Sequence, residues 1–161
     1  MLRFKKRLKE KAENWSVRPV IYVAFGDSVT QGFREDDPAG SPLYPQDVYH
    51  ALFQRRIHEE FPGTVVSVIN SGVACETAQE GLKRIKRDVL SFDPDLVTIS
   101  FGLNDSVAGK EGLEIYASCL QQMAQEIRTK TKADLAFITP NMMLTRVNPN
   151  IHKNHREVVG P

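Results

Sequence analysis

A run of apolar, largely β-branched residues over 20–25 ends abruptly at the tripeptide Gly26-Asp27-Ser28. Its length and composition favour a buried strand, and the glycine marks the turn that follows it. Open α/β sheets place their chemistry just beyond the carboxyl ends of their strands, which is where Ser28 stands. A hydroxyl there is a nucleophile if a base and hydrogen-bond donors lie nearby, and otherwise it is a helix-capping group.

Two later apolar runs, over 64–69 and 95–101, end in similar tips, Asn70-Ser71-Gly72 and Gly102-Leu103-Asn104-Asp105. Because parallel strands have their carboxyl ends at one edge of a sheet, we expect these tips to lie beside Ser28. The Ser28 N–H, the Gly72 N–H and the Asn104 carboxamide can then point at one oxyanion. Gly72 lacks a Cβ, which permits close approach of the backbone.

The three tips, in this order, resemble the sequence blocks of the GDSL esterases and lipases, also called SGNH hydrolases. The resemblance covers roughly residues 20–145, and Val29 stands where the family name implies leucine. It implies a serine hydrolase that cleaves small carboxylic esters, with Ser28, Gly72 and Asn104 as catalytic residues. Acetylated sugars, short-chain esters, lysophospholipids and thioesters all remain open as substrates.

The family's last block, Asp-x-x-His, supplies the histidine base and the aspartate that orients it. No such pattern follows residue 105, and neither His152 nor His155 has an aspartate three residues before it. We therefore expect a chain truncated before this block and nearly inactive, whereas a longer parent would be active. The alternative is a non-catalytic module that binds an acyl or acetylated ligand in the same pocket.

The remaining patterns give no sign of a cofactor or a metal. The turn at Gly32 lacks the sequences typical of nucleotide-binding loops, which argues against a flavodoxin-like nucleotide binder. Asp36 and Asp37 have no partnering ligand at a useful spacing and are interpreted as solvated loop charges. Cys75 and Cys119 are interpreted as small core residues.

Helical apolar stripes alternate with the apolar runs and predict helices over 45–60, 77–91 and 111–130. Strands are predicted near 20–25, 64–69, 95–101 and 133–139, and their continuous apolar character suits a sheet covered on both faces. Right-handed crossovers then give an α/β fold, a three-layer, flavodoxin-like, doubly wound parallel sheet, here without its last strand and helix. Residues 19–161 are expected to form this incomplete hydrolase domain.

Residues 1–18 are expected to form a separate basic arm or helix. Residues 1–20 hold seven Lys/Arg against two Glu, although the whole chain has a net charge of only +1. The small net charge argues against nucleic acid as a partner. Residues 1–16 either make weak contact with an anionic membrane surface or pack their few apolar side chains on the domain. No signal peptide or membrane span is evident, so we expect a cytoplasmic protein.

The predicted truncation leaves the strand at 133–139 on an open edge of the sheet. Leu135, Ala136, Phe137 and Ile138 make that edge apolar. Exposed apolar edges invite pairing with another chain, so we expect self-association through this strand.

Overall fold

The computed structural model describes residues 2–33 and 43–140. Its centre is a four-stranded, all-parallel sheet in the order β2-β1-β3-β4. The strands are β1 (Val20–Gly26), β2 (Val66–Gly72), β3 (Leu96–Ser100) and β4 (Asp134–Phe137). The parallel α/β sheet expected from the apolar runs is therefore confirmed.

Five α-helices accompany the sheet in the described residues, together with 3₁₀ segments at Leu90–Phe92 and Asp105–Gly112. The helices are α1 (Arg3–Glu13), α2 (Ser28–Gln31), α3 (Tyr49–Glu60), α4 (Ala78–Asp88) and α5 (Leu113–Lys130). The predicted helices over 45–60, 77–91 and 111–130 correspond to α3, α4 and α5. At α4, Thr77 forms a capping box with Glu80, which fixes where this helix begins.

Buried side chains cover both faces of the sheet, as the continuous apolar strands required. On one face, Phe25 and Ile99 pack with Ile85 of α4 and Met123 of α5. On the other face, Tyr22 and Leu96 pack with side chains from α1 and α3, namely Phe4, Leu8 and Ile57. The result is the three-layer arrangement predicted for the fold.

The basic segment at the start of the chain forms α1 and packs its apolar residues against the sheet. Phe4 and Leu8 are buried, and the Arg7 Nε donates to the buried Asp95 carboxylate at 3.2 Å. Lys11 is also buried, and its Nζ donates at 2.7 Å to the carbonyls of both Trp15 and Val17. The helix therefore has no free apolar face, and contact with a membrane stays a prediction.

In the parts of the chain that the structure describes, every helix is too short or too polar to span a bilayer. At the opposite side of the sheet, β4 pairs only with β3 in the part of the chain that the structure describes. Ala136 and Phe137 at this edge are exposed. Self-association through residues 133–139 remains a prediction.

Candidate active site

Ser28 is the first residue of α2, directly after the carboxyl end of the central strand β1. Asp27 caps this short helix, because its Oδ1 accepts the Val29 N–H at 3.0 Å. The helix folds back tightly over the strand end: a Cβ on Gly26 would lie 2.2 Å from the Thr30 Oγ1. Ser28 is half-buried, and its N–H has no acceptor among the described residues.

Gly72 ends β2 and is paired in register with Gly26, so it lies beside α2. A Cβ on Gly72 would be 2.2 Å from the Gln31 N, and glycine is therefore needed for the approach of this helix. The Gly72 N–H donates to the Asn70 Oδ1 at 3.0 Å. The structure thus brings Gly72 to the expected edge but commits its amide to a neighbouring side chain.

The turn after Gly72 presents a different amide. Val73 N–H donates to the Gly26 carbonyl at 3.0 Å, and Ala74 N–H donates to the Gln31 Oε1 at 2.9 Å. The next N–H, that of Cys75, has no acceptor in the described ranges. Cys75 has a φ of 64°, in the left-handed region that residues other than glycine rarely adopt. Its side chain is exposed. The interpretation of Cys75 as a core residue was therefore wrong, whereas Cys119 is buried as expected.

Asn104 follows β3 and lies against this same turn. Its Nδ2 donates to the carbonyl of Glu76 at 2.8 Å, which fixes the carboxamide and leaves one of its two N–H groups for another acceptor. The neighbouring Asp105 accepts the Ala78 N–H at 2.9 Å at the start of α4. The ends of β1, β2 and β3 therefore meet at one edge of the sheet through α2, the 73–77 turn and Asn104.

A family model for the GDSL-like lipase/acylhydrolases matches residues 24–159, which is most of the chain and includes all three strand ends. The chain belongs to this family. The match confirms the resemblance seen in the three sequence blocks. It also includes His152 and His155, which lie outside the described residues, as do Asp36 and Asp37.

Solved structures of similar fold include a lipase/acylhydrolase and several esterases. A lipase/acylhydrolase from Enterococcus faecalis is 28% identical with a TM-score of 0.67, over 87% of this chain and 67% of that one. An acetyl xylan esterase from Geobacillus stearothermophilus, a W215I variant of Axe2, is 22% identical with a TM-score of 0.62, over 86% and 70%. A two-domain esterase active on acetylated mannans is 24% identical with a TM-score of 0.66, over 84% and 33%. No curated protein matches the chain.

A buried carboxyl group, that of Asp27, and a half-buried one, that of Asp105, lie at the strand ends of this GDSL-like protein. Asp27 is only 2% exposed, and its burial raises the pKa of its carboxyl to about 6, with the negative charge of Asp105 adding to the effect. Burial also raises the pKa of Asp105. Each therefore holds its proton to a higher pH than an ordinary aspartate, as expected for carboxyl groups removed from water.

Neither histidine of the described ranges is placed to activate Ser28. His50 is buried, and its Nε2 lies 3.0 Å from the Thr30 carbonyl at the back of α2. Burial lowers the pKa of His50, which keeps the ring neutral near pH 7. His58 is exposed on α3. Within the same ranges no cluster of three His, Cys, Asp or Glu side chains could hold a metal ion.

A groove of about 380 Å³ opens directly beside Asn104. It runs along the 3₁₀ segment and the start of α5, and Asn104 and Asp105 are the residues by which the strand ends contribute to its wall. Its walls are mainly apolar; they include Val107, Ala108, Ile115 and Tyr116. The Tyr116 hydroxyl donates to the Phe101 carbonyl at 3.0 Å, so its ring forms a fixed wall.

Proposed function

We propose that this GDSL-like protein hydrolyses carboxylic esters through an acyl-enzyme intermediate on Ser28. The observation that carries the proposal is the Asn104 carboxamide, which is fixed against the 73–77 turn and has one N–H without an acceptor among the described residues. Donors held in place before the reaction stabilise a developing oxyanion far better than water does. Ser28 attacks the ester carbonyl, the carbonyl oxygen becomes the oxyanion, the alcohol leaves, and water releases the acid.

The oxyanion donors in this proposal are the Ser28 N–H, the Cys75 N–H and one Asn104 N–H. Cys75 takes the place that the sequence suggested for Gly72, because the Gly72 amide is occupied by Asn70. The Ser28 hydroxyl must lose its proton during attack, so a general base is required. Since His50 and His58 do not contact Ser28, the proposal requires this base to lie outside the described residues. The near-inactivity expected from the missing Asp-x-x-His block stays a prediction, and the assays below test it.

We assign the acyl group of the ester to the groove beside Asn104. An apolar acyl group would bury surface against Val107, Ile115 and Tyr116, which is favourable, whereas a sugar hydroxyl would lose its water there. The similar structures named for acetyl xylan and acetylated mannans make an acetylated carbohydrate the second substrate class to test. In that case only the acetyl methyl would enter the groove.

The decisive experiment is reaction of the chain with a fluorophosphonate, followed by peptide mapping. We expect a single phosphonyl group on Ser28, because fluorophosphonates label the serine that faces an oxyanion hole. Hydrolysis of p-nitrophenyl acetate and p-nitrophenyl hexanoate, measured in parallel, compares short with longer acyl groups. An unlabelled Ser28 together with tight binding of an acyl ligand would instead establish the non-catalytic module.

Whether Cys75 or Gly72 supplies the backbone N–H that stabilises the oxyanion can be tested with one substitution. Asn70→Ala frees the Gly72 amide, and we expect it to change the rate of Ser28 phosphonylation little. In a ¹⁵N-labelled sample, phosphonylation should move the Cys75 amide proton downfield, since that N–H gains the strongly polar phosphoryl oxygen as an acceptor. A downfield shift of the Gly72 amide with an unmoved Cys75 amide would return the donor role to Gly72.

A further inference from the structure

We infer that Arg84 is the positioning residue that holds the oxyanion-hole segments together. This inference rests on the proposed function. Arg84 belongs to α4, but its side chain is only 8% exposed and points under the strand ends instead of into solvent. A buried guanidinium needs partners for its five N–H groups, and the identity of those partners shows what it organises.

Two of the partners are carbonyls at the carboxyl ends of neighbouring strands. The Arg84 Nη2 donates to the Gly26 carbonyl at 3.0 Å, and its Nη1 donates to the Ser71 carbonyl at 2.9 Å. Gly26 lies two residues before Ser28, and Ser71 lies two residues before the 73–77 turn, which carries Cys75. One rigid fork therefore sets the spacing between the nucleophile strand and the strand that leads to the amide donor.

The third partner connects Arg84 to Asn104. The Arg84 Nε donates to the Glu76 Oε2 at 2.6 Å, while the backbone carbonyl of Glu76 accepts the Asn104 Nδ2 at 2.8 Å. Because Arg84 holds the Glu76 side chain, the Glu76 backbone carbonyl is also held in place. This carbonyl orients the Asn104 carboxamide. Arg84 thus contacts the chain segments that lead to Ser28 and Cys75 directly. It reaches Asn104 through Glu76.

Two further contacts fix the guanidinium itself. Its Nη1 also donates to the Asp88 Oδ2 at 2.9 Å, one turn along α4. Its central carbon lies 4.6 Å from the centroid of the Phe25 ring, the geometry of a cation–π contact. A lysine ammonium is a compact charge without a planar fork, so it cannot satisfy both strand-end carbonyls and both carboxylates at once.

The test compares Arg84→Lys with two matched variants of the same helix. Arg87→Lys alters an exposed arginine that also pairs with Asp88, and Ile85→Val loosens the adjacent core without touching the strand ends. We expect Arg84→Lys to lower kcat, or the rate of Ser28 phosphonylation, by roughly tenfold to a hundredfold with KM little changed, as misplaced catalytic groups do. Arg87→Lys and Ile85→Val should leave both parameters near those of the wild type.

The inference is overturned if Arg84→Lys keeps the wild-type kcat, or if Ile85→Val loses as much activity at an equal drop in Tm. If Arg84→Lys does not fold, Glu76→Ala tests the inference instead. It removes only the side-chain bond by which Arg84 acts on Asn104. That variant should lower kcat in the same direction with a small change in Tm, and an unchanged kcat contradicts the inference.

A second readout does not depend on activity. Amide hydrogen exchange of Val73, whose N–H donates to the Gly26 carbonyl, should become faster in Arg84→Lys and not in Ile85→Val. Wild-type protein whose Ser28 resists phosphonylation would refute the proposed function, yet the exchange data would still decide whether Arg84 orders these segments. Unchanged exchange at Val73 in Arg84→Lys would count against the positioning role.

Discussion

Replacing Asn104 with alanine is expected to lower kcat for ester hydrolysis between about a hundredfold and a thousandfold, the usual effect of losing one oxyanion donor. In the proposed function, the carboxamide N–H that does not bond Glu76 stabilises charge that exists only in the transition state, so KM should change little. The measurement is steady-state hydrolysis of p-nitrophenyl acetate, with the rate of Ser28 phosphonylation as a check.

The effect on folding should be small by comparison. Asn104→Ala removes one hydrogen bond, to the Glu76 carbonyl, for which about 1 kcal/mol of unfolding free energy is typical. Gln121→Ala, which changes an exposed side chain of α5 outside the groove, is the control and should retain wild-type kcat. A steep fall in Tm for Asn104→Ala with a nearly normal kcat would assign the residue a structural role only.

Replacing Asp27 with asparagine is expected to stabilise the protein at alkaline pH and not at acidic pH. The folded Asp27 has a pKa of about 6 because it is buried, whereas an ordinary aspartate titrates near 3.8. Between these values the folded state binds a proton that the unfolded chain has released, so the wild type loses stability as the pH rises. The loss approaches about 3 kcal/mol above pH 6, by the usual conversion of pKa into free energy.

Asparagine cannot ionise and still offers an oxygen to the Val29 N–H, so the variant escapes this loss while keeping the cap. Urea unfolding at about pH 4 and pH 8 should show the two proteins converging at the lower pH and diverging at the higher. Asp88→Asn is the control of opposite sign, because Arg87 and Arg84 lower the pKa of Asp88. A pH-independent difference between wild type and Asp27→Asn would refute the buried ionisation.

Much of the fold could be predicted because its strands are buried on both faces. The apolar runs that became β1 and β3 have no polar alternation, and this pattern is typical of parallel strands covered by helices. Boundaries were harder to predict. The second strand continues to Gly72 because backbone pairing with β1 holds residues 70–72 in extended form, although their side chains are polar or absent.

The site was predictable only to the level of strand ends. Ser28 and Asn104 lie where the strand tips placed them, because parallel strands bring their carboxyl ends to one edge. The state of the Gly72 amide could not be predicted, since it depends on a rotamer of Asn70. Nothing in the sequence marks Cys75 as left-handed, because that conformation normally signals glycine. Arg84 stands beside Lys83, Lys86 and Arg87 in α4, so the sequence makes it look like an ordinary charge on a solvated helix.

The way in which Lys11 holds the segment around Trp15 determines which spectroscopic signal can report the unfolding of this protein. The two hydrogen bonds of Lys11 fix the backbone after α1 while Trp15, the sole indole of the chain, stays 81% exposed. Native emission should therefore already be red-shifted, and denaturation of the sheet will barely alter it. Near-ultraviolet circular dichroism from the enclosed Tyr22 phenol reports on loss of the interior instead.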